Sequence, residues 1–146
     1  MNTTRIITLA AAAGFASLAL AAGASAATTR YECRASGSPD ISMQARYELR
    51  GTTPTSRRKF STEFEAGRAA AIPAGTRLRV VVKGVAVGSA VAEALAGGGI
   101  VADLNFDTQR QLDALPFPSK WPTGVGAGSV VRVMRGTTLL LSCTLR

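Results

Sequence analysis

Beyond residue 26, apolar and polar positions alternate with a period of two through most of the chain. In "TRYECRA" Tyr31 and Cys33 share one side, while Arg30, Glu32 and Arg34 share the other. "MQARYELRG" sets Ala45, Tyr47 and Leu49 against Arg46, Glu48 and Arg50. "RRKFSTEFEAG" sets Phe60, Thr62 and Phe64 against Lys59, Ser61, Glu63 and Glu65. "GTRLRVVVKG" buries Leu78, Val80 and Val82 and turns Arg77, Arg79 and Lys83 outward; "IVADLNFD" places Ala102, Leu104 and Phe106 inward. Such alternation is the signature of antiparallel strands with one buried and one wet face. At the C-terminus "SVVRVMRG" and "TTLLLSCTLR" meet at Gly136-Thr137, which predicts a hairpin, with Leu139, Leu141, Cys143 and Leu145 on one face.

Turn residues punctuate these runs. "GSPD" at 37–40 is a turn through its Pro-Asp pair. "VAVGSAVAEALAGGG" reads as a hairpin arm turning at Gly97–Gly99, with a short helix over 89–96 as the alternative. Pro116, Pro118 and Pro122 keep regular strands out of the segment after Asp107. Seven or eight strands in the 120 residues from 27 to 146 are too many for one flat sheet. The expected fold is all-β, a single antiparallel β-sandwich of Ig-like or jelly-roll-like type; a small β-barrel is the alternative.

The first 26 residues change the picture of where this fold resides. A short n-region with Arg5, an apolar stretch from Ile6 to about Ala22 and the close Ala24-Ser25-Ala26 read as a cleaved secretory signal peptide. Residues 27–146 then form a single exported domain, periplasmic or extracellular, and no later stretch is apolar enough to span a bilayer. Cys33 and Cys143 are the two cysteines, and in an exported chain they are expected to form one disulfide joining the N- and C-terminal strands. The Arg-rich, Ala/Gly-rich composition is that of a GC-rich bacterial genome.

Charge adds a preference for anionic partners. Residues 27–146 carry sixteen bases against nine acids, which favours attraction to an anionic surface without naming one. Arg57, Arg58 and Lys59, with Arg77 and Arg79 on a strand that would lie alongside, form a candidate basic patch. No aromatic residue interleaves with it, so nucleic acid is disfavoured as a partner.

The catalytic inventory is thin. The chain has no histidine, which removes Ser-His-Asp, Cys-His and His-ligated zinc chemistry together. Glu63 and Glu65 are expected to make cross-strand ion pairs on a wet face. Asp103, Asn105 and Asp107 have the spacing that opens a calcium loop, but Thr108 and Ala114 occupy the places of the loop's glycine and glutamate. They remain weak metal candidates, and no cofactor is expected. "LPFPSKWP" at 115–122 is the main candidate binding surface: Phe117, Lys120 and Trp121 stand on a proline-stiffened segment. The expectation is a non-enzymatic binding or interaction module of the bacterial envelope or surface, with a protein or glycan partner. A self-assembling fibre or surface-layer subunit, hence a homo-oligomer, and a periplasmic enzyme inhibitor are the alternatives.

Overall fold

The computed structural model describes residues 27–51 and 56–146; the signal peptide expected over 1–26 lies outside them. Each alternating run becomes a strand. In chain order these are β1 (Thr28–Gly37), β2 (Ile41–Arg50), β3 (Arg57–Ala66), β4 (Arg77–Val82), β5 (Val85–Val91), β6 (Glu93–Ala94), β7 (Ile100–Asp107), β8 (Val130–Arg135) and β9 (Thr138–Thr144). One 3-10 turn, Arg68–Ala70, links β3 to β4, and no α-helix forms among the described residues. The strands build two antiparallel sheets, ordered β1-β2-β3-β7-β6 and β5-β4-β8-β9. The fold is an all-β sandwich.

Its interior is the layer that alternation marks out. Phe60, Phe64, Leu78, Val82, Val131, Val133 and Leu145 are fully buried between the sheets, joined by Ala45, Tyr47, Leu104 and Phe106. Burying a large aliphatic or aromatic side chain contributes about 1.5–3 kcal/mol relative to exposure, so this shared layer is what holds two otherwise half-wet sheets together. Thr62 belongs to it, opposite Ala45 and Leu104, and its Oγ1 finds no hydrogen-bond partner among the described residues.

Both lateral edges of the sandwich are tied. On one side β1 and β9, in different sheets, are joined by the Cys33–Cys143 disulfide, with Cα atoms 5.6 Å apart. Glu32 and Arg146 exchange two backbone hydrogen bonds of 3.1 Å beside it. On the other side the chain itself crosses over. β5 pairs with β4 in one sheet, and after the buried Ala92 the same run pairs with β7 in the other as β6. Ala92 is anchored at the crossing, where its N–H donates to Thr76 O and its carbonyl accepts from Gly75 N–H. Gly88 lets this edge close: a Cβ there would sit 3.0 Å from a Leu104 methyl and 3.1 Å from the Phe106 ring. That crossing is why nine strands form among the described residues where alternation predicts seven or eight, and why 89–96 is not a helix and turns at Gly97–Gly99.

Leu139 and Glu48 depart from simple alternation, and Glu63 and Glu65 from their expected pairing. A bulge between Val133 and Met134 in the β8–β9 ladder makes Leu140 the extra residue, so Leu139 leaves the core face and is 50% exposed. Glu48, expected on a wet face, is buried, because Arg30 and Arg50 fold over its carboxylate. Glu63 and Glu65, expected to make ion pairs, make none among the described residues; Glu63 lies opposite Gln44 on one side and Asp103 on the other. Burial together with the Asp103 and Glu65 charges raises the Glu63 pKa, and burial with Glu93 and Glu65 raises that of Asp103.

Two stability outcomes follow. The disulfide spans 110 residues, so a Cys33→Ser, Cys143→Ser variant is expected to lose about 4–5 kcal/mol in urea unfolding; unchanged stability would show that the backbone pair at Glu32 and Arg146 alone holds that edge. Thr62→Val keeps the shape and removes an unpaired buried hydroxyl, and is expected to gain about 1–2 kcal/mol. A loss in the same assay would mean the hydroxyl is satisfied in solution.

Candidate functional site

The segment between β7 and β8 lies against one end of the sandwich. It is pinned at its start by the Leu115 N–H donating to Asn105 O (2.9 Å) and the Asp107 N–H donating to Leu115 O (3.0 Å). Its far half is held by Lys83, whose Nζ donates to Thr123 O (2.9 Å) and Gly124 O (3.2 Å). Lys83 reaches there from the two-residue turn between β4 and β5, where Lys83 and Gly84 both take positive φ. Three prolines and these backbone bonds give the segment one path over the open end of the core.

That path places Trp121 on an aromatic cluster. Its ring stacks on Tyr47 (5.9 Å between centroids) and meets Phe60 (5.0 Å), Phe106 (5.9 Å) and Phe117 (4.8 Å) edge-on. Edge-to-face pairs of this kind stabilise by about 0.5–1.5 kcal/mol beyond burial. Trp121 and Phe117 remain half-buried, with Lys120 exposed between them. Phe117 and Trp121 are thus brought together, closing the core and facing a groove of about 620 Å³ whose lining does not include Lys120.

The groove is lined by Tyr47, Arg58, Phe117, Pro118, Trp121 and Pro122, among others. Arg58 sits with its guanidinium carbon 4.9 Å from the Phe117 ring centroid, a cation–π contact. Burial raises the Tyr47 phenol above its ordinary range, against the opposing pull of the nearby Arg58. Tyr47 and Arg58 were not read as part of this site from the sequence. The signal was their parity: both occupy inward positions near strand ends, where an inward side chain reaches the open end of the sandwich.

The basic run is taken apart by the same parity. Arg57 and Lys59 point to the outer face and Arg58 to the groove. Arg57 donates to both oxygens of Asp107, at 3.1 and 2.6 Å, and Lys59 approaches at 4.0 Å. Arg77 and Arg79 do not lie alongside them, because β3 and β4 belong to different sheets.

Asp107 has accordingly a structural role. Its side chain is fully buried, it accepts the Gln109 N–H at 2.9 Å, and Arg57 holds its carboxyl below the usual carboxylate range. Asp103 stands two pleats away in the open, and among the described residues no three acidic or cysteine side chains gather to hold a metal ion. A smaller pocket of about 220 Å³ lies over this outer face between Arg46, Glu48, Lys59, Asn105, Asp107 and Asp113. Its deepest charges are matched internally: Glu48 by Arg30 and Arg50, Asp107 by Arg57, and Arg46 by Glu32, whose Oε1 lies 2.7 Å from Nε outside hydrogen-bond alignment. The groove, by contrast, offers ring faces and a guanidinium with no carboxylate against it.

No protein-family model, curated protein or solved structure matches this chain.

Asp107→Asn is expected to lower the unfolding temperature by several degrees at neutral pH, since it leaves Arg57 without its charge partner. The folded-state pKa of Asp107 lies below its unfolded value. The pair's contribution is therefore complete above the ordinary carboxylate range and is lost as pH falls through the depressed folded value. Wild type and variant are expected to diverge at neutral pH and converge in acid; a constant gap across that range would reject the ion pair as the cause.

Proposed function

We propose that this protein is an exported, non-enzymatic binding module, and that the groove at Tyr47, Arg58, Phe117 and Trp121 takes an extended segment of a partner protein at the cell envelope. The observation that carries this reading is the composition of the groove. Ring faces and two prolines offer flat apolar contact, and Arg58 is the one charged group in the lining. The lining contains no carboxylate or amide side chain, the planar hydrogen-bonding groups that sort sugar hydroxyls. A peptide with an aliphatic or proline stretch beside an acidic residue satisfies both halves: the stretch lies on Trp121 and Phe117, and the acid meets Arg58 as a charge-assisted fork. Export is supported by the N-terminal leader pattern and by the disulfide.

Trp121 is the sole tryptophan, so its emission reports directly on the groove. Peptides selected from a displayed library against the folded protein are expected to shift Trp121 fluorescence on titration. Trp121→Phe and Arg58→Gln are each expected to weaken them about tenfold or more, as for a central aromatic or arginine anchor. Selected peptides that leave the emission unchanged and bind both variants as tightly as wild type would place binding elsewhere.

A further inference from the structure

The two sheets divide the charges of the molecule between them. Seven of the nine acids, Glu32, Glu48, Glu63, Glu65, Glu93, Asp103 and Asp107, lie on the strands of the five-stranded sheet. The strands of the four-stranded sheet carry Arg77, Arg79, Arg132 and Arg135 and no acid at all. All four arginines are exposed, and none pairs with a carboxylate among the described residues. Arg79 donates one bond, to the Gly136 carbonyl at 3.1 Å, which steadies its side chain without neutralising it.

Register places Arg77, Arg79 and Arg132 on one outer face, while Arg135, at the end of β8, has the parity of the inward Val131 and Val133. Arg79 lies between Ser89 on β5 and Met134 on β8, and Val81 lies beside Arg132, which is itself opposite Ser142 on β9. Arg77 faces Val91, which is 48% exposed, and the displaced Leu139 faces Met134. Guanidinium groups on β4 and β8 are thus flanked by partly exposed aliphatic side chains on β5, β8 and β9. The arginines line neither the groove nor the charged pocket; they stand on the open pleat of a sheet.

We propose that this face docks on an anionic phospholipid surface, with the arginines on headgroup phosphates and Val91, Met134 and Leu139 among the upper acyl carbons. The inference is independent of the groove. Charge complementarity selects an anionic partner, and two features select a lipid layer over a polymer. The charges lie on two adjacent strands, Arg77 and Arg79 about 7 Å apart along β4 and Arg132 diagonal to Arg79 on β8, a patch and not the single row that tracks a polymer chain. Exposed aliphatics between cations gain from contact with an apolar layer and gain nothing from a sulfated sugar. No aromatic residue lies on these four strands to stack a nucleobase.

The test is co-sedimentation of the full chain with phosphatidylcholine vesicles with and without phosphatidylglycerol. The N-terminal stretch, with Arg5, is common to wild type and every variant, so the readout is the phosphatidylglycerol-dependent binding compared between them. Each arginine near an anionic surface contributes about fivefold to partition. An Arg77→Gln, Arg79→Gln, Arg132→Gln variant is therefore expected to lose on the order of 100-fold of the phosphatidylglycerol-dependent binding. Replacing the same three by lysine is expected to retain most of it. Arg34→Gln, Arg68→Gln, Arg110→Gln removes equal charge elsewhere and is expected to lose far less. An unaltered unfolding temperature in each variant separates lost docking from lost fold. The proposal is overturned if wild type shows no preference for phosphatidylglycerol, if the two glutamine variants lose binding equally, or if dextran sulfate is bound through these arginines while the vesicles are not.

Discussion

Two half-wet sheets stay face to face only if their edges cannot slide apart. Here one edge is closed by the Cys33–Cys143 bond between β1 and β9, and the opposite edge by the chain passing through Ala92 from β5 to β6. With both edges held, Phe60, Phe64, Val82, Val131 and Leu145 share one dry layer. The groove at the open end and the arginines on the outer face of the four-stranded sheet both take their position from that closure. The cost of closing the edges is local: Gly88 must lack a side chain where β5 approaches Leu104 and Phe106.

The open end of the sandwich is where binding capacity arises, and the reason is geometric. Neither lateral tie closes the end of the sandwich, so the inward side chains there need a cover other than a facing sheet. Arg58 lies at that end with the buried Tyr47, Phe60 and Phe106 behind it, and the proline-stiffened segment lays Trp121 and Phe117 across them. The lid is therefore part of the core and part of the surface at once. Its rigidity comes from backbone bonds to Asn105, Asp107 and Lys83, so a partner would meet a surface already ordered and forgo little further entropy on docking.

Charge is handled differently on the two outer faces. On β1, β2, β3 and β7 acids and bases interleave, and partial burial drives them into pairs such as Arg57–Asp107 and Arg30–Glu48. Where that sheet runs out of bases, Glu63 and Asp103 face each other and their pKa values rise. On β4, β5, β8 and β9 no acid exists to pair with, and the arginines stay free of carboxylate partners. A basic excess that looks diffuse along the chain is thus concentrated on one sheet by the way strands are assigned to sheets.

Alternation alone determined most of the strands, the inward residues and the hairpin at Gly136-Thr137, because a period of two is a property of the strand itself. The cysteine pair in the terminal strands was equally legible, since inward parity and the leader pattern both point to it. Alternation says nothing of which strands share a sheet. That assignment separated Arg77 and Arg79 from Arg57 and Lys59 and joined them to Arg132 instead. Nor does it reveal the bulge that turned Leu139 outward, or the arginines that fold over Glu48 and Asp107. The Arg30–Glu48 and Arg57–Asp107 pairs join residues 18 and 50 positions apart. Only the closed sandwich brings them within hydrogen-bond reach, and so only the tertiary structure decided that the Asp-x-Asn-x-Asp run would end in a buried ion pair.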